Sequence, residues 1–301
     1  MKAERSRNIF WYLGVVLFVS VVCQARVRTL YHGSGLQSPT PAQDKAAAAQ
    51  DKVKTEAANQ PFAQAEQLVQ EGSADSLRRA IEKYQEGLLL YRAAGSRRSE
   101  ATTLTKIGLV YNSLGDKQKA LEYYNQALPI WRAVGDRSGD AGTLTNIGSV
   151  YDDLGEKQKA LEYYNQALPI LRAVGDRSDE ATTLTNIGVV YYSLGEMQRA
   201  LNYYNQALPI LRAVGDRGGE GKTLTNVGLV YNSLDEKQKA LDYYNQALPI
   251  LRAVGDRSSV GATLNSIGIV YDDLGEKQRA LDYYNQALPN QRAVGDRSGE
   301  A

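Results

Sequence analysis

Histidine and cysteine are almost missing from this chain of 301 residues, which holds one of each, His32 and Cys23. A lone cysteine excludes a disulfide scaffold, and the two residues together cannot form a Cys/His zinc cluster. Beyond residue 32 there is no histidine on which a catalytic triad or dyad could be built. An excess of charge is missing too. The 35 basic residues stand against 34 acidic ones, so no bulk electrostatic pull toward nucleic acid is expected. The apolar fraction of 43% is near the globular norm and sufficient for a core. Composition thus points to a non-enzymatic body with no metal and no cofactor, long enough for roughly two ordinary domains.

The N-terminus reads as a membrane address. Lys2, Arg5 and Arg7 precede an apolar run from Ile9 to Cys23. A positive flank before such a run is the pattern of a secretory signal or a short signal-anchor over residues 1–25. Cys23 and Ala25 are the small residues that cleavage after Ala25 would need, whereas Arg26 and Arg28 weaken that site. Lipidation of Cys23 is disfavoured by the bulky Val22 before it. Either way the chain is expected in the cell envelope, exported or membrane-anchored. Residues 26–60, with Pro39, Pro41 and the run Ala46 to Ala49, show no periodic apolar face and read as a low-complexity spacer. Part of it, from about Gln43 to Ala58, has the composition of a transient helix.

From residue 101 the chain repeats every forty residues. Blocks 101–140, 141–180, 181–220, 221–260 and 261–300 align without a gap, and 61–100 is a divergent block in the same phase. Five of the eight prolines occupy one slot (Pro129, Pro169, Pro209, Pro249, Pro289), and fifteen of the twenty tyrosines occupy three. A fixed period of this length means stacked repeats. Within a block, Leu104, Ile107, Gly108 and Tyr111 step by three and four, as one face of a helix does. Gly115 closes that helix with a left-handed cap. A second helix carries Ala120, Tyr124, Ala127, Leu128 and Trp131 on one face and ends near Gly135, after which Asp136 caps the next block. One such pair has too little core by itself, so its stability must come from stacking on its neighbours. Pro129 and its copies fall inside the second helix, removing a backbone hydrogen bond and bending it.

These residues resemble the tetratricopeptide repeat core, matched here by Ile107, Gly108, Tyr111, Ala120, Tyr124 and Ala127 in every block from 101 onward. The forty-residue period is similar to the variety in kinesin light chains and Pins-type adaptors, and to bacterial multi-repeat proteins that often carry a caspase-like domain. Leu104 replaces the family's leading Trp, and Arg132 its closing Pro. The resemblance implies an all-α, right-handed superhelical solenoid of helical hairpins, here with an N-terminal membrane segment.

Other motifs carry less. Gly218 to Thr223 ends like a phosphate-binding loop, but Asp216 stands where that loop needs a glycine, and a helix precedes it instead of a strand. The pairs Asp152–Asp153 and Asp272–Asp273 lack calcium-loop spacing and read as solvated helix ends. Arg137 and its copies read as surface partners of Asp136 and its copies.

By resemblance, the slot two residues before the packing glycine faces a concave groove. It holds Asn146, Asn186 and Asn226, with Lys106 and Ser266 at the ends. Side-chain amides offer donors and acceptors to an extended peptide backbone, or alternatively bond locally between neighbouring helices. Thr105, Thr145, Thr185 and Thr225 stand beside them. Four slots expected to face the groove change from block to block while the packing slots barely do. They run Thr102 to Ala262, Leu109 to Ile269, Asn112, Asp152, Tyr192, Asn232 and Asp272, and Ser113 to Asp273. A reading surface would vary in this way, and so would neutral drift after duplication. The expected function is a protein-interaction scaffold taking an extended peptide or partner helix. Two other classes stand beside it: the sensing arm of a longer protein with a caspase-like protease domain, and a solenoid that self-associates through an uncapped C-terminal end.

Overall fold

The computed structural model describes residues 41–295, with side chains from 55 to 290. Contacts divide the chain into units 1–50 and 51–301, and the repeats lie in the second. The membrane segment expected over 1–25 falls outside the described residues. Among those described, no helix is long and apolar enough to cross a membrane.

Twelve helices and no strand occupy the described residues. Helix α1 (Pro41–Glu71) and α2 (Ala74–Ala93) form the divergent hairpin. The regular repeats pair α3 (Arg97–Ser113) with α4 (Lys117–Ala133), α5 (Arg137–Asp153) with α6 (Lys157–Val174), and α7 (Arg177–Ser193) with α8 (Met197–Val214). They continue with α9 (Arg217–Ser233) and α10 (Lys237–Ala253), then α11 (Arg257–Asp273) and α12 (Lys277–Gly295). Helix α1 opens at Pro41, inside the stretch read as spacer. Its Ala, Gln, Glu and Lys content favours helix without needing an apolar face.

Each hairpin closes by a fit between a bare backbone and a ring. Tyr164 of α6 is 1% exposed, and its ring lies against Gly148 of α5, where a β-carbon would sit 2.6 Å from the ring. Every regular repeat has this pair. A second ring contact, Tyr151 on Tyr163 at 5.4 Å, is stacked and has Lys159 Nζ 5.0 Å from the Tyr151 centroid, a cation held over an aromatic face. Ala160, Leu161, Leu168 and Leu171 complete the core and meet Leu184, Ile187 and Val190 of the next repeat or Leu144 and Ile147 of their own. In the divergent hairpin Phe62 instead meets Tyr84 edge-on, with ring centroids 5.3 Å apart.

The turns repeat as faithfully. Gly115 has φ +83°, and Gly155, Gly195 and Gly275 are alike, but the equivalent residue of block 221–260 is Asp235, at φ +61°. Asp136, Asp176, Asp216 and Asp256 each accept a backbone N–H three residues on, between 2.8 and 3.2 Å, which caps the following first helix. Pro129 and its copies lie exposed within the second helices, so the carbonyl each leaves without an amide faces water.

Candidate partner-binding face

Successive first helices α3, α5, α7, α9 and α11 touch one another directly, whereas no two second helices pack to the same extent. The crowded side of a curved stack is its inner side, so the first helices line the concave face.

The threonines are withdrawn from that face. Thr145 and Thr225 are buried, and their hydroxyls meet those of Thr183 and Thr263 in the next first helix at 2.9 and 3.0 Å. Thr105 and Thr185 meet Thr143 and Thr223 at 3.3 and 3.2 Å. This is a correction to the groove assignment of Thr145 and Thr225, whereas Thr185 is half-buried like Asn186 beside it. One residue of helix is a turn of about 100°, which carries the threonine under the neighbouring helix when the following asparagine stays at the rim. Lys106 is also engaged internally, its Nζ 3.3 Å from Glu66, the same carboxylate that accepts the Tyr84 phenol. It ties the first regular repeat to α1 rather than standing open.

Asn146, Asn186 and Asn226 are half-buried at the rim. Burial, and then the Asp152 carboxylate, push the Tyr164 phenol above its ordinary pKa, while hydrogen bonding with Ser149 and Asn186 pulls it partly back. The Tyr124 and Tyr244 hydroxyls are buried with no hydrogen-bond partner among the described residues.

Asn112 accepts from Lys117 Nζ at 2.7 Å, Asn232 from Lys237 Nζ at 2.9 Å, and Asp152 from Lys157 Nζ at 2.6 Å. Lys117 and Lys237 reach on to Asp153 and Asp273 of the following repeat. Sequence reasoning named the asparagines and missed these lysines. The available signal was that the two slots change together, because Tyr192 and Met197 replace both members of the pair in block 181–220. Tyr192 turns instead to Ser233, 3.2 Å away, and packs with Met197, Val189 and Leu229 on the core. Leu109 and Ile269 remain exposed, at 37% and 41%. The face thus alternates polar groups with apolar ones along its length.

The arginines at the hairpin turns do not pair as expected. Asp176 is spent on capping, while Arg177 joins Arg172 on Glu180, a carboxylate 3% exposed. Gly218 to Thr223 lie wholly inside α9, so no loop is present there to cradle a phosphate. Among the described residues no group of His, Cys, Asp and Glu could hold a metal ion.

Comparisons with known proteins follow this geometry. The family model described as tetratricopeptide repeat matches residues 73–133, 99–173, 139–213, 179–253 and 219–293. No curated protein sequence matches the chain. Among solved structures it is similar to BtubC (BKLC) from P. vanneervenii, with 23% identity, a TM-score of 0.61, and coverage of 73% of this chain and 90% of that one. It is similar to a Rap protein complexed with Competence and Sporulation Factor, at 16% identity and TM-score 0.56 over 77% and 74% of the two chains. The likeness to nearly identical repeats of a putative kinesin light chain from Podosopora anserina has 16% identity and TM-score 0.52 over 65% and 96%. At these identities the likeness is one of fold. With the family model covering most of its length in a forty-residue register, the chain belongs to the tetratricopeptide repeat family.

Proposed function

We propose that this chain is a non-catalytic protein-interaction scaffold that holds an extended peptide or a partner helix against the concave face of its first helices. The observation that carries the reading is the contrast between slots. Leu109, Ser149, Val189, Leu229 and Ile269 differ from repeat to repeat on the concave side, over a core of Ala, Leu and Tyr that hardly changes. Such a surface presents a different chemistry at each step along one rigid support, which suits reading a sequence of side chains. Asn146, Asn186 and Asn226 supply amides at the rim for a peptide backbone. The similar Rap structure holds Competence and Sporulation Factor, so a chain of this fold can carry a bound partner.

A crosslinked pull-down with the full chain, beside its triple Asn146→Ala, Asn186→Ala, Asn226→Ala variant, tests the reading. The expected result is a partner captured by wild type alone, with the helical circular dichroism of the two baits identical. Equal capture by both overturns the groove assignment. Recovery of this chain alone by both baits replaces peptide capture with stacking of copies.

A further inference from the structure

In three repeats a carboxylate in the first helical turn is buried beneath two arginines. Glu100 receives Arg92 Nε at 2.9 Å and Arg97 Nη1 at 2.5 Å; Glu180 receives Arg172 and Arg177 at the same distances. Glu220 receives Arg212 at 2.8 Å and Arg217 at 2.5 Å. The carboxylates are 3–4% exposed, whereas the arginine side chains stay about half exposed, so the fork closes over its ligand from the solvent side. In block 101–140 the shorter Asp140 keeps Arg132 alone, at 3.1 Å.

Block 221–260 keeps the fork and has lost the ligand. Its arginines are Arg252, in the last turn of α10, and Arg257, the first residue of α11. The carboxylate slot holds Val260, 5% exposed. The scaffold of the fork is otherwise the same, with Gly255 at φ +73° against +75° at Gly215, and Asp256 capping α11 as Asp216 caps α9. Among the described residues neither arginine side chain makes an ion pair or a hydrogen bond. The carboxylate adjacent in sequence, Asp256, is engaged by the Ser259 N–H at 2.9 Å and by Lys222 at 3.0 Å.

We infer that Arg252 and Arg257 form an open receptor for a carboxylate brought by a binding partner, such as an Asp or Glu side chain. Two guanidinium groups held near one another without a counter-ion repel, and a carboxylate relieves that repulsion through paired charge-assisted hydrogen bonds. Val260 fills the floor with hydrocarbon, so the ligand enters from solvent instead of from the helix below. The class of ligand follows from the sister repeats, where the same fork holds a carboxylate in the same register. The site lies at the end of the first helices opposite Asn232 and Asp273.

The test follows the melting temperature of the full chain at fixed pH and ionic strength as chloride is replaced by acetate or by inorganic phosphate. Val260→Glu is the companion variant, because it recreates the sister sequence and fills the fork internally; Arg252→Ala with Arg257→Ala empties it. Acetate is expected to raise the wild-type melting temperature saturably, as any ligand of the folded state does. The response should vanish in both variants, and Val260→Glu should melt above wild type in chloride. An acetate response equal in all three proteins, or absent from wild type, overturns the site. A response to phosphate with none to acetate overturns the carboxylate assignment.

Discussion

Tyr164 stacks its ring so close to the backbone of Gly148 that the hydrogen on that α-carbon is the largest group the site accepts. Burying a tyrosine ring removes a large apolar area from water, and here it also sets the spacing of the two helices of a repeat.

Gly148→Ala is therefore expected to destabilise the chain. A β-carbon 2.6 Å from the ring must displace the ring or spread the helices, at a cost of about 1–3 kcal/mol. The midpoint of urea unfolding, read by circular dichroism, should fall. A midpoint equal to that of wild type would mean that the ring slides aside freely.

Asp235 offers the opposite case. It holds a left-handed φ of +61° where the sister turns use glycine, its contact with Lys237 is long at 3.6 Å, and its own side chain is almost fully in water. Asp235→Gly removes the steric cost of a β-carbon in that conformation, less the greater chain entropy of glycine. The net gain is expected to be about 0.5 kcal/mol, seen as a later urea midpoint; an earlier one would show that the Lys237 contact matters more than the backbone.

Asp179 supplies a dependence on pH. Burial, then the neighbouring Asp176 carboxylate, raise its pKa above the ordinary value. Its Oδ2 lies only 3.4 Å from where a β-carbon on Gly142 would be. For an acid whose folded pKa is raised, the charged form is disfavoured by folding. The penalty is thus fully present above the folded pKa and disappears as pH falls below the unfolded one. Asp179→Ser, which copies Ser99 and Ser259, should raise the melting temperature at pH 7, and the gain should shrink on acidification through the carboxylate range. A gain independent of pH would assign the effect to packing.

The core was readable because its rules are one-dimensional. Gly108, Ala120 and Tyr124 recur at helical spacing, and a period of three and four residues states which face is buried. The concave face was harder for a geometric reason. Thr145 and Asn146 both border the core stripe, and only the placement of the next first helix decides that the threonine goes beneath it. Glu180 was hidden for a different reason. A charged side chain reads as solvated until Arg172, eight residues earlier and on the preceding helix, is known to arrive above it. The helix from Pro41 lacks an apolar periodicity, so the signal that found the others passes over its first turns.

The threonine contacts between neighbouring first helices always join residues 38 apart, Thr145 to Thr183 as Thr185 to Thr223. Each seam is therefore chemically interchangeable with the next. Excision of codons 141–180 would set block 101–140 against 181–220, and Thr105 would find at Thr183 the hydroxyl it now finds at Thr143. Unequal crossing-over between such blocks, which would scramble an ordinary domain, yields here a shorter or longer protein with every junction already tried. What recombination cannot copy freely is the block that holds Val260, because its loss would remove the arginine fork that stands unfilled among the described residues of an otherwise adjustable array.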